Sequence, residues 1–188
     1  MASGNAEKGL LFVLAVSCTK PRRVVLMCCT TKHSIGGYMR GLSFKISNPR
    51  GLPLLQILTC VNVKNYYWYV VDNQNDTWDS HMERLLLDHF AYDGSSFYET
   101  IKQEHFVIFI KLQAYFSHDK YDEILSYDDF QKSECQLLLL IHDCCYVDIY
   151  IKDQAMIEET YQYAVSMGYQ NVRYIKDDSD TRTKMSVI

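Results

Sequence analysis

The chain has 188 residues, of which 19 are basic and 23 are acidic, so its formal charge is −4. Three prolines, eight glycines and 13% aromatic residues argue against disorder and indicate a chain that can bury a core. The acidic balance opposes non-specific binding to nucleic acid and to anionic membranes, and it suits a basic protein partner.

Residues 1–38 differ in character from the rest of the chain. The apolar run at residues 10–17 ends before Cys18 and resembles a lipoprotein signal, but it is too short to span a bilayer and its basic flank is weak. The codons of the adjacent glycines just before Met39 permit a purine-rich ribosome-binding site. We therefore interpret residues 1–38 as a misassigned start or a disordered extension, with a genuine signal as the third reading, and residues 39–188 as one globular domain.

The first half of this domain alternates between strand and helix patterns. Residues 41–47 alternate apolar and polar side chains, which predicts a half-buried strand, and Pro53 suits the first turn of an apolar-striped helix. The aromatic and β-branched residues 66–72 predict a second strand. Polar residues 73–80 predict a loop, and residues 82–90 fit a short helix or a strand equally well.

Capping patterns mark two helices in the middle of the domain. Ser96 with Glu99 matches a capping box, and Ser126 with Asp129 resembles the N-cap of a short helix. Between them, residues 105–112 form a continuous apolar run. Such a run predicts an interior strand that is covered on both faces of its sheet.

The last third of the chain predicts a hairpin followed by a helix and a strand. Residues 136–142 form a second interior strand, residues 143–144 a tight turn, and residues 146–152 an alternating hairpin partner. An aspartate opens and a glycine closes the helical pattern at residues 153–168, and residues 171–175 predict the last strand. The expected fold is α+β, a mixed, mostly antiparallel sheet of about six strands with helices packed on it.

Residues 39–188 are more acidic than the whole chain. Five of the basic residues and one of the acidic residues lie in residues 1–38, so the domain holds 14 basic and 22 acidic residues, a net charge of −8. Its four cysteines lack the spacing of a disulfide framework: Cys60, Cys135, Cys144 and Cys145. Free thiols predict a reducing compartment, so we expect a cytoplasmic protein.

Sequence patterns for catalysis, nucleotides and metals are absent. The chain contains no GxGxxG, GxxxxGK[ST], GxSxG, CxxC or HExxH motif and no complete calcium loop. His142 and Cys144 are the nearest approach to a reactive pair, but neighbours along a strand do not face each other. We therefore predict no cofactor, no metal ligand and no catalytic residue.

Two groups of residues are candidates for binding a partner. Tyr67 and Tyr69 share one face of a predicted strand, and we expect them to form an exposed pair. Five carboxylates cluster near one loop and predict either a solvated face or a surface for a basic protein: Asp119, Asp122, Glu123, Asp128 and Asp129.

The polar tail offers a third candidate. Arg182 lies among carboxylates that include Asp180, and its fork of donors could pin the tail to the body of the domain. A functional site would use the same residues to hold an anion or a carboxylate of a partner. We favour the structural interpretation.

Four segments give the chain a family resemblance. MRGLSF, YYWYV, CQLLLLIHDCCYVDIYIKD and DTRTKMSVI resemble a small bacterial family of uncharacterised proteins, domain-of-unknown-function family 2691, over residues 39–188. The resemblance implies size, bacterial origin and the lack of a leader, and it implies no activity, cofactor or catalytic residue.

Two classes of function remain open from the sequence. The first is a small acidic interaction protein, regulatory or immunity-like, that binds a basic protein. The second is a small-molecule-binding module or enzyme whose site is assembled from distant residues, for example around His142, Cys144 or Arg182. A flat acidic surface would favour the first class, and a pocket with converging polar groups would favour the second.

Overall fold

The computed structural model describes residues 38–47 and 49–188. The prediction that residues 1–38 form no domain falls, apart from Tyr38, outside the described residues. Within the described ranges, no helix is long and apolar enough to cross a bilayer.

The domain is built on one antiparallel sheet of eight strands in the order β4-β3-β5-β6-β7-β1-β8, with β2 paired to β5. The strands are β1 Met39–Lys45, β2 Arg50–Gly51, β3 Tyr67–Asp79, β4 Ala91–Tyr92, β5 His105–Tyr115, β6 Leu137–His142, β7 Tyr146–Ile151 and β8 Gln170–Lys176. Six of them are the predicted strands, and the other two are two-residue pairings. The α+β class is therefore confirmed, and every strand pair in the described part is antiparallel.

Four α-helices and one 3-10 turn join these strands. The helices are α1 Pro53–Ile57, α2 Gly94–Ile101, α3 Tyr127–Lys132 and α4 Gln154–Ser166, and the 3-10 turn is Val63–Asn65. α1, α2 and α4 contribute buried residues to the larger core on one face of the sheet, which we call the helix face. α3 contributes to a smaller core on the other face, which we call the tail face.

Strand periodicity assigns each side chain to one of these faces. On β6 and β7, Leu139 and Ile149 belong to the helix-face core, whereas Leu140 and Tyr150 belong to the tail-face core. Five consecutive β6 residues, Leu137–Ile141, are almost fully buried. The prediction of interior strands covered on both faces is confirmed for β6.

The predicted loop at residues 73–80 is wrong, because most of it belongs to β3. β3 leaves its pairing with β5 after Val70 and resumes it at Asn75. Asn73 lies between them with a φ of 60°, a left-handed conformation that asparagine tolerates. Thr77 is fully buried and its hydroxyl donates to Asn75 at 2.7 Å, so polar residues here pack within a strand.

Helix capping follows the sequence patterns with one exception. The capping box of Ser126 and Asp129 is present at α3, and the Asp153 carboxylate accepts from two backbone N–H groups at α4. The predicted box at Ser96 and Glu99 is wrong, because α2 begins earlier. Its N-cap is Asp93, whose side chain accepts from the N–H groups of residues 95 and 96.

The chain reverses at two positions that need positive φ angles. Asp143 and Cys144 have φ angles of 48° and 64° at the centre of a β-turn in the three-residue β6–β7 loop, where the Cys145 N–H donates to the His142 carbonyl at 3.3 Å. Gly168 has a φ of 70° just after α4, where a glycine commonly ends a helix. Both turns stand where the sequence predicts them.

Buried His105 gives the fold a pH dependence. Its Nδ1 donates to the Gln103 carbonyl at 2.7 Å and its Nε2 accepts from the Leu54 N–H at 3.4 Å, a pattern that needs the neutral ring. Burial lowers the pKa of His105. Because the unfolded ring takes up its proton near pH 6.5, we expect the free energy of unfolding to fall as the pH drops below about 6.5, by up to about 1.4 kcal/mol per pH unit.

Denaturant titrations between pH 7 and pH 5 measure this slope. His105→Gln lowers stability at every pH but flattens the slope, whereas His81→Gln, at an exposed position, keeps the wild-type slope. Equal slopes in the wild type and His105→Gln would contradict this role.

Candidate functional site

Several polar side chains of the sheet point to its tail face. Alternate residues of β5 and β7 point there, among them buried Lys111 and Gln113 and half-buried Asp148. Residues 116–135 and the tail at residues 177–188 cover the face only in part. They leave exposed surface near β3 and a cavity near β8.

Buried polar residues fix the covering loop to β5. The Lys111 Nζ donates to the Ile124 carbonyl. The Tyr115 hydroxyl donates to Gln113 Oε1 at 2.8 Å and accepts from the Asp122 N–H at 3.2 Å. Burial lowers the pKa of Lys111 and raises that of Tyr115. These contacts hold the acidic loop in one position against the sheet.

The prediction that Tyr67 and Tyr69 form an exposed pair is wrong for Tyr69. Tyr67 is 38% exposed, and its ring centroid lies 5.7 Å from that of His118. Tyr69 is only 5% exposed, because Tyr121 and Phe90 pack over it with ring centroids 4.8 and 5.4 Å away. The hydroxyl of Tyr69 donates to the carbonyl of His118. Tyr69 is thus part of the support for the surface.

Three of the predicted acidic residues lie exposed on the loop beside these rings. They are Asp119, Asp122 and Glu123. Exposed Asp72 adds a fourth carboxylate from β3, and the 42% exposed ring of Phe90 lies 5.0 Å from that of Tyr121. We call the following set of residues the acidic–aromatic surface: Tyr67, Asp72, Phe90, Asp119, Tyr121, Asp122 and Glu123.

The carboxylates of this surface act on two of the tyrosines beside them. Burial, followed by the charges of Glu123 and Asp72, raises the pKa of Tyr121. Burial and then the charge of Asp119 raise the pKa of Tyr69. Among the described residues, no ion pair joins the four carboxylates of the surface to a basic side chain. Asp119 accepts a hydrogen bond from the Ser117 hydroxyl, and the four carboxylates otherwise face solvent without an ion pair.

The other two predicted acidic residues have local partners in α3. Asp128 pairs with Lys132 one turn later, with 3.2 Å between the ammonium nitrogen and Oδ2. Asp129 closes the capping box, and hydrogen bonds from Ser126 lower the pKa of its carboxyl. These contacts account for both residues without a partner.

Polar contacts hold the tail against β1 and β7. Asp180 Oδ2 accepts from the Arg40 guanidinium at 3.0 Å and from the Tyr150 hydroxyl at 3.4 Å. The Arg182 guanidinium donates to Asp148 and, at 2.9 Å, to the Ser186 carbonyl. Asp180 and Arg182 therefore contact the body of the domain, and their role as tail anchors stays a prediction.

A register shift in β1 makes one of these contacts possible. The pairing of β1 with β8 shifts between Met39 and Gly41, so Arg40 lies at a β-bulge. Its guanidinium reaches the tail face, 3.9 Å from the centre of the Tyr127 ring. The sequence carries no periodic signal for such a change of face.

A cavity of about 610 Å³ opens beside these tail contacts. Its polar lining comes from β1, β7, β8 and the tail: Ser43, Asp148, Tyr150, Arg173, Ser179, Asp180, Thr181 and Arg182. Two of these residues are the predicted anchors, and sequence reasoning missed the others. The sequence signal for these residues was the polar face of each alternating strand. Only the strand order reveals which polar faces lie side by side.

The histidine and thiol cluster does not form a catalytic pair. The His142 ring stacks on Tyr146, and its Nε2 lies 3.7 Å from Asp148 Oδ2 rather than against a thiol. Burial raises the pKa of Cys144 and, to about 12, that of Cys135, which disfavours the reactive thiolate. In the described ranges, no three histidine, cysteine or carboxylate side chains are grouped to hold a metal ion.

Sequence comparison places the chain in a family. The family model described as protein of unknown function (DUF2691) matches residues 39–186, and the chain belongs to this family. The chain is similar to the uncharacterized protein YncE of Bacillus subtilis, with 34% identity over 156 residues that cover 79% of this chain and 99% of the relative. No solved structure matches the chain. The resemblance seen in the sequence motifs is confirmed.

The tail contacts predict a specific loss of stability in Arg182→Ala. The guanidinium and the Asp148 carboxylate are 24% and 14% exposed, so water screens their contact only in part. We expect the substitution to lower the free energy of unfolding by about 2 kcal/mol. It also accelerates hydrogen exchange of the Met185 amide, which in the wild type donates to the Leu125 carbonyl at 2.8 Å.

Denaturant unfolding and amide exchange measured by NMR check both effects. Lys184→Ala, at an exposed position in the same tail, is the matched control and leaves both unchanged. Wild-type protection of the Met185 amide in Arg182→Ala would show that the tail is held without this arginine.

Proposed function

We propose that this protein is a small acidic interaction protein, regulatory or immunity-like in kind, that binds a basic surface of another protein. The observation that carries the proposal is the acidic–aromatic surface. It places two exposed rings, Tyr67 and Phe90, among four carboxylates without ion pairs. A segment rich in lysine or arginine with apolar side chains fits such a surface.

The rings supply the apolar contact that such an interface needs. Aromatic side chains are enriched at the energetic centres of protein interfaces, since they bury a large area with few rotatable bonds. Here Phe90 rests on Tyr69 and Tyr121, so its position is fixed before a partner arrives. A preorganised ring loses less conformational entropy on binding.

The carboxylates supply attraction and selectivity. An acidic patch accelerates encounter with a basic partner and disfavours acidic ones. The net charge of −8 over residues 39–188 has the same sign, which also opposes nucleic acid as the partner. Cys60, Cys135, Cys144 and Cys145 are free thiols, which supports a cytoplasmic location for the encounter.

Selection from a random peptide display library tests this proposal with a defined probe. We expect the full chain to enrich peptides that combine lysine or arginine with apolar residues. A synthetic peptide from the enriched set binds at least tenfold more weakly to the double variant Asp119→Asn, Glu123→Gln, because two attracting charges are removed. Phe90→Ser weakens it to a similar extent through lost apolar contact.

A charge-matched control separates the surface from the overall charge. The double variant Glu99→Gln, Glu104→Gln removes two exposed carboxylates outside the surface, and we expect it to retain wild-type affinity. Enrichment of peptides without basic residues, or equal affinity for both double variants, would contradict the proposal. Fluorescence anisotropy of the labelled peptide gives the dissociation constants.

A further inference from the structure

We propose that the cavity beside the tail binds a small organic oxyanion, a carboxylate or phosphate ester, through the guanidinium of Arg173. The strand register builds this site. Arg173 on β8 and Asp148 on β7 both lie directly opposite Ser43 on β1, so the three side chains form one row across the tail face. The tail residues Ser179–Arg182 line the cavity on the side opposite the sheet.

The charges in the cavity leave one cation uncompensated. Arg182 is paired with Asp148, and Asp180 is paired with Arg40. The guanidinium of Arg173 forms no hydrogen bond or ion pair with any residue that the structure describes. Its planar fork of donors matches the geometry of a carboxylate or a phosphate group.

Neighbouring groups add to this preference for an oxyanion. Lys45 lies two residues from Ser43 on the same strand, so both side chains point to the tail face, and it lines an adjoining hollow with Arg173. The hydroxyls of Ser43, Ser179 and Thr181 line the cavity as further donors. The two arginines and two aspartates that line the cavity make it formally neutral, in a domain with a net charge of −8.

The size of the cavity and its two carboxylates restrict the size and charge of the ligand. A volume of about 610 Å³ falls in the range of sites for small molecules. The carboxylates of Asp148, on β7, and Asp180, in the tail, line the part of the cavity away from Arg173 and would repel a second anionic group there. The oxyanion therefore lies on the Arg173 side, and the other end of the ligand turns neutral or donor groups toward Asp148 and Asp180.

NMR titration of the full chain at constant ionic strength tests the site with two probes, inorganic phosphate and acetate. We expect saturable shifts of the Ser43, Arg173 and Thr181 amides with at least one of them. Saturation with phosphate alone identifies a phosphate ester site, and saturation with acetate alone identifies a carboxylate site. Sodium chloride at the same ionic strength produces no saturable shift.

Two substitutions of one exposed residue separate recognition from plain charge. Arg173→Gln raises the dissociation constant at least tenfold, and Arg173→Lys raises it several-fold, because lysine keeps the charge but loses the fork. Arg84→Gln, at an exposed position outside the cavity, is the control and binds as the wild type does. Absence of saturable shifts with both probes, or undiminished binding by Arg173→Gln, would overturn the proposal. These variants leave the acidic–aromatic surface untouched, so this test and the peptide test fail separately.

Discussion

The burial of β6 on both faces is the constraint on which the rest of the structure depends. Residues 137–141 are apolar without interruption, so neither side of the strand tolerates water. Helices cover one side. The other side must be covered as well, and α3 together with Met185 of the tail supplies that layer. Since this layer is narrower than the sheet, the polar ends of the tail face remain open to solvent.

The two candidate sites are these open ends. One lies at β3, where the loop fixed by Lys111 carries carboxylates and rings; the other lies at β8, where the tail roofs a row of polar side chains. A buried lysine adds little stability compared with an apolar residue, but its hydrogen bond to a single carbonyl excludes other loop positions. A loop held in one position presents a preorganised surface, which lowers the entropy cost of binding.

Sequence patterns predicted whatever repeats along the chain and missed whatever depends on strand order. Alternation, β-branched and aromatic composition, or a continuous apolar run identified all six long strands, whereas a two-residue strand such as Ala91–Tyr92 is too short to show any of these patterns. Residues 73–80 were misread because their polar side chains pack inside a strand that Asn73 interrupts. The tail residues Asp180 and Arg182 carried enough chemistry to be noticed, but Arg173, Ser43 and Arg40 did not. Their meeting depends on pairing register and on one β-bulge.

The distribution of charge makes the two ends of the tail face respond differently to salt. At the acidic end, added salt would screen only attraction, so we expect the affinity for the proposed basic partner to fall steadily with ionic strength. At the end near Arg173, salt would screen the attraction of Arg173 for the proposed oxyanion but also the repulsion from a domain with a net charge of −8. The two effects oppose each other there, and the fork geometry, which salt does not alter, carries most of the selectivity. An acidic domain can therefore hold an anion only where its own tail has already neutralised the nearest carboxylates, as Arg182 does for Asp148.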